Sequence, residues 1–394
     1  MLPEPDSVDR SERLRLRREQ ARKRVRRRRT VALAVLIVAA ALVALGATVI
    51  GTRGNDGGGP ADAASPKKKA KPAGPRAMPA EVRGVHVTMA LASLRGKLEQ
   101  YLAIPGLNTV ELDVKDENGE VGFLLPSRNL ARKVGAAKDY YDARGVATKA
   151  HEAGVYLIGR VVTFEDPMLT AGRPDLAIQT SGGSVWQNYA GLGWANPYDR
   201  RVWDYNVSIA AAAARAGFDE IQFDYVRFPS DGDLSLIRYP GDHPQPMSWT
   251  IPAFVQYAAH RLHPLGARVS VDVFGLAATR DLGIGQQPRR LSRYVDAVYP
   301  MVYPSHFNAG EYNLTDPNAV PGETVNHSLL DFEAALEGRK ARLTPWLQDF
   351  SLGRTYTLAD VQAQVEAARL RHTDGFLLWN AEGLYDAAAL KPPA

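Results

Sequence analysis

Cysteine is absent from this chain of 394 residues. Its absence excludes disulfide bonds and thiolate metal sites, and is compatible with a location outside the cytoplasm. The chain also lacks a histidine–glutamate pair with metal-ligand spacing and a glycine-rich phosphate loop. The run SDGDLS, residues 230–235, resembles part of a calcium loop but lacks its later glutamate, and we interpret it as a turn. We therefore predict no metal and no cofactor.

Positive charge is scarce outside the N-terminal region. Residues 1–80 carry 18 Lys and Arg against 7 Asp and Glu, so the rest of the chain is net negative although the whole chain carries +5. A negative body argues against a nucleic-acid footprint there. The arginine-rich run at 10–29 could by itself bind nucleic acid, but it directly precedes an apolar segment. We predict no nucleic-acid partner.

That apolar segment, TVALAVLIVAAALVALGATVIG at residues 30–51, contains no charged residue. About twenty such residues suffice to cross a bilayer as a helix, and the preceding arginines favour a cytoplasmic N-terminus. We predict a cytoplasmic tail over 1–30 and a single-pass transmembrane anchor over 31–51, with residues 31–50 contacting the lipid bilayer of the cell membrane. The body would then be extracytoplasmic. A cleaved signal peptide is the alternative, since ALGA offers small residues near its end.

The rest of the chain divides into a linker and one large domain. Residues 52–81 are rich in Gly, Pro, Ala and Lys and predict a disordered linker. From residue 82 to 390, short strand-like runs alternate with helical patterns, the clearest of which are 197–216, 251–262 and 358–371. Such alternation predicts an α/β fold with a parallel sheet, and eight units of this kind match a (β/α)₈ TIM barrel. The predicted strands cover residues 84–88, 109–115, 156–162, 220–224, 268–274, 297–303, 343–348 and 375–380.

Alternation within these strands favours a closed barrel. In VELDV, residues 110–114, the valines and leucine share one face while Glu111 and Asp113 share the other. Similarly, Gln222 and Asp224 oppose apolar neighbours, and Asp272 lies among valines. Strands of an open doubly wound sheet are apolar on both faces. A polar second face is expected where strands line a barrel interior near its mouth, although an open α/β sheet remains the alternative.

Active sites of such barrels lie at the C-terminal ends of the strands. The residues at these ends combine carboxylates, aromatic rings, amides and a few arginines. Paired carboxylates with stacking aromatic rings are suited to glycoside hydrolysis, and Trp186, Trp194, Trp346 and Trp379 could offer apolar faces to sugar rings. We predict substrate-binding roles for Asp113, Arg160, Tyr225, Arg227, Tyr303, His306, Gln348, Trp379 and Asn380.

Five motifs resemble those of a bacterial family of exported glycosyl hydrolase domains with a TIM barrel. They are GFDEIQFDYVRFP, VSVDVFG, DAVYPMVYPSHF, PWLQDF and GFLLWNA, and the likeness covers residues 83–385. These domains are distantly similar to α-amylase-type barrels, in which an aspartate on the fourth strand is the nucleophile and a glutamate on the fifth is the acid. The resemblance implies that Asp224 is the nucleophile. Asp272 occupies the fifth-strand position but is one methylene shorter than the family's acid.

The two carboxylates end neighbouring strands with the same inward parity. Their carboxyls are therefore expected on the order of 5–6 Å apart, as in a retaining glycosidase. Alternative roles remain open. Asp224 could form a structural ion pair with Arg227, and Asp272 could bind only a substrate hydroxyl. If the two carboxyls were more than about 9 Å apart, or if Asp272 faced the helices, Glu165 or Asp349 would become the candidate acid.

Asp113 is more consistent with an interior ion pair with Lys115, and Arg160 could clamp an anionic sugar or hold Asp113 or Asp224 ionised. Overall, the sequence predicts a membrane-anchored glycoside hydrolase or transglycosidase that acts on a cell-envelope or extracellular polysaccharide. A non-catalytic glycan-binding barrel is the main alternative. A metal-dependent deacetylase is disfavoured by the scarcity of histidine.

Overall fold

The computed structural model describes residues 76–243 and 245–393, so the predicted tail, the predicted anchor and most of the predicted linker lie outside the described residues. The described part contains eight barrel strands. They are β1 (Val82–Val87), β2 (Thr109–Lys115), β3 (Tyr156–Val162), β4 (Glu220–Asp224), β5 (Arg268–Phe274), β6 (Ala297–Met301), β7 in two segments (Arg342–Leu343 and Trp346–Gln348) and β8 (Gly375–Trp379).

All neighbouring barrel strands are parallel, and the sheet closes on itself. Pairing runs from β1 through β6 in chain order, and β6 pairs with both segments of β7. β8 pairs with β7 and returns to β1, where Gly375 lies opposite Val82. Closure excludes the open-sheet alternative and confirms the predicted eight-stranded barrel.

Helices surround the barrel. They are α1 (Met89–Ser93), α2 (Lys97–Leu102), α3 (Leu130–Lys133), α4 (Ala143–Glu152), α5 (Pro167–Gly172), α6 (Arg200–Ala216), α7 (Met247–Leu262), α8 (Pro288–Leu291), α9 (Pro321–Leu336) and α10 (Leu358–Leu370). The helix α6 starts later than predicted because the Asp199 side chain accepts a hydrogen bond from the Arg201 backbone amide and caps the helix. It ends at Ala216, and the capping residue Gly217 has a left-handed φ of 113°. No helix among the described residues is long and apolar enough to cross a membrane.

The two faces of the strands have different surroundings. Outward residues such as Val110, Leu112 and Val114 are buried in the large apolar layer between strands and helices. Inward residues such as Ile158, Tyr299 and Leu377 belong to a second, smaller cluster. This inner cluster closes the barrel interior, so that the polar inward positions nearer the strand ends meet above a packed floor.

A bulge in β2 changes the direction of one predicted interior residue. Asp113 lies opposite Arg160, but the next paired residue is Lys115, opposite Val161, so the register shifts between Asp113 and Lys115. Lys115 contacts the helix layer, where its Nζ lies 2.6 Å from Asp166 Oδ2 and 2.9 Å from Asn206 Oδ1. The predicted pair between Asp113 and Lys115 is therefore wrong, because the bulge separates the two side chains.

The last residues of the predicted linker contact the barrel. Arg342 donates hydrogen bonds of 2.8 Å to the backbone oxygens of both Pro79 and Ala80, and Met78 packs against the inner cluster. The described chain is thus already attached to the barrel several residues before β1 begins.

Candidate active site

A cavity of about 450 Å³ opens at the C-terminal ends of the barrel strands. Its walls combine two carboxylates, two arginines and a larger set of apolar and aromatic side chains. A concave site with few polar groups in an apolar wall is typical of small-molecule and sugar sites. The lining residues are Arg160, Asp224, Tyr225, Arg227, Asp272, Phe274, Gly275, Leu276, Leu282, Met301, Tyr303, His306, Phe307, Trp346 and Trp379.

Asp224 and Asp272 are neighbours in the sheet register. Where β4 pairs with β5, the last paired residues are Phe223 and Val271. Each aspartate is the next residue along its strand. Both line the cavity, and both are almost fully buried, with 5% and 2% of their surface exposed. The two carboxylates predicted from the sequence as a pair therefore lie side by side at the floor of one cavity.

Asp224 is bound by Arg160, which projects from the adjacent strand β3. Arg160 donates from Nη2 and Nε to Asp224 Oδ2, at 2.7 and 3.0 Å, and from Nη1 to Asp113 Oδ1 at 2.8 Å. The other oxygen, Asp224 Oδ1, accepts the Tyr225 backbone amide at 2.6 Å. The alternative pairing of Asp224 with Arg227 is wrong, because the arginine that binds the Asp224 carboxylate is Arg160.

Asp272 has neutral hydrogen-bond partners. Its Oδ1 accepts a hydrogen bond of 2.7 Å from Gln222 Nε2 and another of 2.7 Å from Trp346 Nε1. Both donors come from inside the barrel, so Asp272 faces the interior and not the helices. Burial raises the pKa of Asp272 well above its usual range, and the nearby charges of Asp224 and Glu111 raise it further. A carboxyl in this setting retains its proton at pH values where an exposed aspartate has lost it.

A buried acid–base cluster lies behind these two residues. His86 Nδ1 is hydrogen-bonded to Glu111, and its Nε2 lies 3.7 Å from Asp113 Oδ2. Burial alone would lower the pKa of His86, but the Asp113 and Glu111 carboxylates raise it overall. The imidazole stacks on Trp379 with ring centroids 4.2 Å apart. His86 thus fixes the indole that forms one wall of the cavity.

Arg227 and Tyr225 form the opposite part of the wall. The Arg227 guanidinium carbon lies 5.0 Å from the Trp194 ring centroid, 4.9 Å from that of Tyr225 and 4.7 Å from that of Phe274. Tyr225 has a φ of +46°, an uncommon backbone conformation for an aromatic residue. This strained residue directly follows Asp224, and its amide donates to the Asp224 carboxylate.

The other predicted substrate-binding residues divide into two groups. Tyr303, His306 and Trp379 line the cavity, whereas Asp113, Gln348 and Asn380 are not among its lining residues. Gln348 Oε1 accepts the Ser305 amide at 3.1 Å and its Nε2 donates to the Phe350 oxygen at 2.9 Å. Gln348 therefore holds the loop that carries Tyr303 and His306. Asn380 Oδ1 accepts the Glu382 amide at 2.8 Å, within the turn after β8.

The four candidate sugar-stacking tryptophans also divide. Trp346 and Trp379 line the cavity and meet edge to face, with centroids 5.5 Å apart. Trp186 donates from Nε1 to the Asp233 backbone oxygen at 2.9 Å, and this contact packs one loop against another. Trp194 is fully buried beneath Arg227.

Sequence reasoning did not identify the apolar wall or the donor to Asp272. Phe274, Leu276, Leu282 and Phe307 resemble ordinary core residues in the sequence, and only the closed barrel brings them together. The sequence analysis named Trp346 only as a stacking residue. Its role as a hydrogen-bond donor could have been identified, because Trp346 shares a strand face with Gln348 and an inward indole N–H needs a buried acceptor.

Glu165 and Asp349, named as substitute acids, are not among the residues that line the cavity. Burial raises the pKa of each to about 7. Glu165 accepts a hydrogen bond of 2.8 Å from Asn188 Nδ2. Asp272 faces the interior, so the orientation that would have favoured either substitute is absent.

A closed barrel with adjacent buried carboxylates and indole rings at its C-terminal mouth is typical of the glycoside hydrolase class of TIM barrels. The model of one family, described as "Putative glycosyl hydrolase domain", matches residues 84–385. The chain belongs to this family, which confirms the resemblance inferred from its motifs. No curated protein matches the chain.

One of three solved structures similar to this chain shares its fold at a TM-score above 0.5. The glycoside hydrolase domain of PgaB (BpsB) from Bordetella bronchiseptica has a TM-score of 0.57 and 15% identity, and the match covers 79% of this chain and 98% of that one. A hypothetical protein from Ruminiclostridium thermocellum is 31% identical over 48% of this chain and 97% of its own, with a TM-score of 0.44. The catalytic domain of a beta-amylase from Paenibacillus polymyxa has 12% identity and a TM-score of 0.48, over 80% of this chain and 96% of that one.

Proposed function

We propose that this protein is a retaining glycoside hydrolase or transglycosidase that acts on a cell-envelope or extracellular polysaccharide. The observation that carries the proposal is the side-by-side placement of Asp224 and Asp272 in unlike surroundings. Asp224 lies against a guanidinium, whereas Asp272 is buried among neutral donors. Two carboxyls whose environments separate their protonation are the requirement for acid and nucleophile roles.

In the proposed mechanism, Asp224 attacks the anomeric carbon while Asp272 donates its proton to the leaving oxygen. The bond to the aglycone breaks as the bond to Asp224 forms, which yields a covalent glycosyl-enzyme. Asp272, now ionised, then removes a proton from water, and the resulting attack releases the sugar and regenerates both groups. Transfer to a sugar hydroxyl in place of water gives the transglycosidase outcome. Trp379, which lines the cavity and is partly exposed, offers an indole on which a sugar ring would stack.

Covalent labelling tests this proposal. The full-length chain is incubated with a panel of cyclitol epoxides of different sugar configuration, then digested and analysed by mass spectrometry. We expect one probe to label the peptide that contains Asp224, and the Asp224→Asn variant to remain unlabelled. Attachment at another carboxylate, or labelling that persists in Asp224→Asn, would contradict the assigned nucleophile.

A glycan-binding barrel without turnover is the second candidate, and one observation favours it. Both oxygens of Asp224 are already hydrogen-bonded, Oδ2 to Arg160 and Oδ1 to the Tyr225 amide. Such a carboxylate is less available for attack than one with a free oxygen. Binding on a glycan array, combined with no labelling by any probe and no released reducing ends, would identify this function.

We further propose that residues 31–50 anchor the protein in the cell membrane with the barrel outside. The support is the uncharged apolar run and the arginine cluster before it. Alkaline phosphatase fused after Ala394 should be active in cells, and a fluorescent protein that matures only in the cytoplasm should stay dark. The reverse pattern would overturn the topology, and N-terminal sequencing of the membrane fraction separates an anchor from a cleaved signal peptide.

A further inference from the structure

Arg227 is a buried cation at the cavity wall, and only 6% of its surface is exposed. Its Nη1 donates to the Phe228 backbone oxygen at 3.1 Å and to Ser230 Oγ at 3.0 Å. These two neutral acceptors fix one nitrogen of the guanidinium. The side chain also lines the cavity in which a substrate would bind.

The two cavity arginines differ in their counter-ions. Arg160 contacts the carboxylates of Asp113 and Asp224 at 2.8 and 2.7 Å. Arg227, within the part of the chain that the structure describes, forms no ion pair with any carboxylate. Asp224, Glu165 and Asp231 attract it only at longer range, and burial lowers the pKa of Arg227. A buried charge without a paired counter-ion is costly unless something else compensates it.

The aromatic residues around Arg227 are neutral and provide no counter-ion for it. Trp194, Tyr225 and Phe274 lie 4.7–5.0 Å from the guanidinium carbon. Rings at this distance attract the cation and restrict its movement, while Nε and Nη2 form no hydrogen bond within the part of the chain that the structure describes. A planar fork of donors matches the two oxygens of a carboxylate. The site therefore lacks one partner, and that partner has the shape and charge of a carboxylate.

We propose that the cavity binds an acidic glycan, and that Arg227 binds the carboxylate of a uronosyl residue in it. This inference rests on the proposed function and names its substrate class. A monoanion fits better than a phosphate ester because Asp224, Glu165 and Asp231 already lie within electrostatic range of Arg227 and would repel a second negative charge. Arg160, by contrast, already has two carboxylate partners, so the anionic-sugar role considered for it passes to Arg227.

The test compares each glycan with its own neutral form. The full-length chain, purified in detergent, is applied in the cold to an array of oligouronates printed both as free acids and as carboxyl-reduced alcohols. Neutral oligosaccharides and sugar phosphates are printed beside them. We expect at least one oligouronate to bind about tenfold or more tightly than its reduced form, as expected for a charge-assisted contact.

Three variants locate the effect. Arg227→Gln should abolish the preference for the acid form, and Arg227→Lys should retain part of it, because it keeps the charge but loses the planar fork. Arg290→Gln is the matched control, since Arg290 also stacks on an indole, 4.0 Å from the Trp249 centroid, but does not line the cavity. This control should leave the preference unchanged. The acid-to-alcohol comparison on the unmodified chain stands even if a variant fails to fold.

Three results would overturn the inference: equal binding of acid and reduced forms, an unchanged preference in a folded Arg227→Gln, or selective binding of sugar phosphates. If neutral oligosaccharides bind or are hydrolysed without any acid preference, the inference fails and the proposed function stands. If no glycan of any kind binds or is hydrolysed, both fail.

Discussion

Arg160 and Asp224 form a buried ion pair in which two guanidinium nitrogens share one carboxylate oxygen, at 2.7 and 3.0 Å. The same arginine reaches Asp113 on the other side and lies 5.1 Å from the Trp379 ring centroid. One side chain thus joins the candidate nucleophile, a second buried carboxylate and the stacking wall. Its loss should affect the fold as well as the chemistry.

We expect Arg160→Met to lower the free energy of unfolding by about 3–5 kcal/mol, because it leaves two buried carboxylates without their cation. Urea unfolding followed by circular dichroism measures the change. Arg173→Met is the control, since the pair of Arg173 with Asp175 is surface-exposed and such pairs contribute at most about 1 kcal/mol. An equal decrease in the free energy of unfolding in the two variants would show that the Arg160 pair stabilises the fold no more than a surface ion pair.

Asp224→Asn should reduce turnover by a factor on the order of 10⁴ or more, as expected when a group that acts in the covalent step is removed. The fold should persist, because the substitution preserves shape and Arg160 keeps its contact with Asp113. Initial rates on a substrate found by probe labelling give the measurement. Asp242→Asn, on an exposed loop, should retain full activity. Substantial activity in a folded Asp224→Asn would remove Asp224 from the mechanism.

Trp346→Phe should move the basic limb of the pH–rate profile to higher pH. Burial raises the pKa of Asp272, and the hydrogen bond from Trp346 opposes that rise by stabilising the charged form. Without this bond Asp272 holds its proton to higher pH, and the proposed acid must be protonated to act. Trp203→Phe is the control, because that indole donates to the Pro197 oxygen away from the cavity. A shift to lower pH in Trp346→Phe would contradict Asp272 as the acid.

Glu165→Gln should stabilise the protein above neutral pH and have little effect in acid. Burial raises the pKa of Glu165 to about 7, so the folded state holds a proton that the unfolded state releases from about pH 4.5 upward. The contribution of protonated Glu165 to stability is therefore present in acid and is lost as pH rises through 7. Melting temperatures of both proteins between about pH 5 and pH 8 test this. A constant difference across that range would show that Glu165 titrates normally.

Much of the barrel could be predicted from the sequence because the strands are short, β-rich and punctuated by turns. The bounds of the strands at 109–115, 156–162, 220–224 and 268–274 agree with the structure. The prediction of the seventh strand was less accurate. This strand, β7, breaks around Pro345, because proline has no amide hydrogen to donate. The sixth strand, β6, ends at Met301, two residues before its predicted end, because the chain then turns into the Pro304–His306 segment.

The hydrogen-bond and ion-pair partners of the site residues were harder to predict than the positions of these residues on the strands. Asp224 and Asp272 follow from strand parity, which is local. The partner of Asp224 depends on which of two nearby arginines reaches inward, and that choice is made by the neighbouring strand β3 and the stacking of Arg227 between aromatic rings. The hydrogen bond from Trp346 to Asp272 joins residues 74 positions apart. No periodicity within either segment encodes such a contact.

The bulge in β2 has a consequence for how this protein can be altered. Lys115 is held by Asp166, which also accepts the Leu169 amide at the start of α5, so the segment that carries Glu165 and Trp194 is attached on the outer side of the sheet. The carboxylates inside have Arg160 as a separate partner. Libraries confined to residues 167–195, with Asp166 kept unchanged, can therefore diversify the segment beside Arg227 while the inner ion pairs remain intact, which makes this segment a natural starting point for directed evolution of substrate preference.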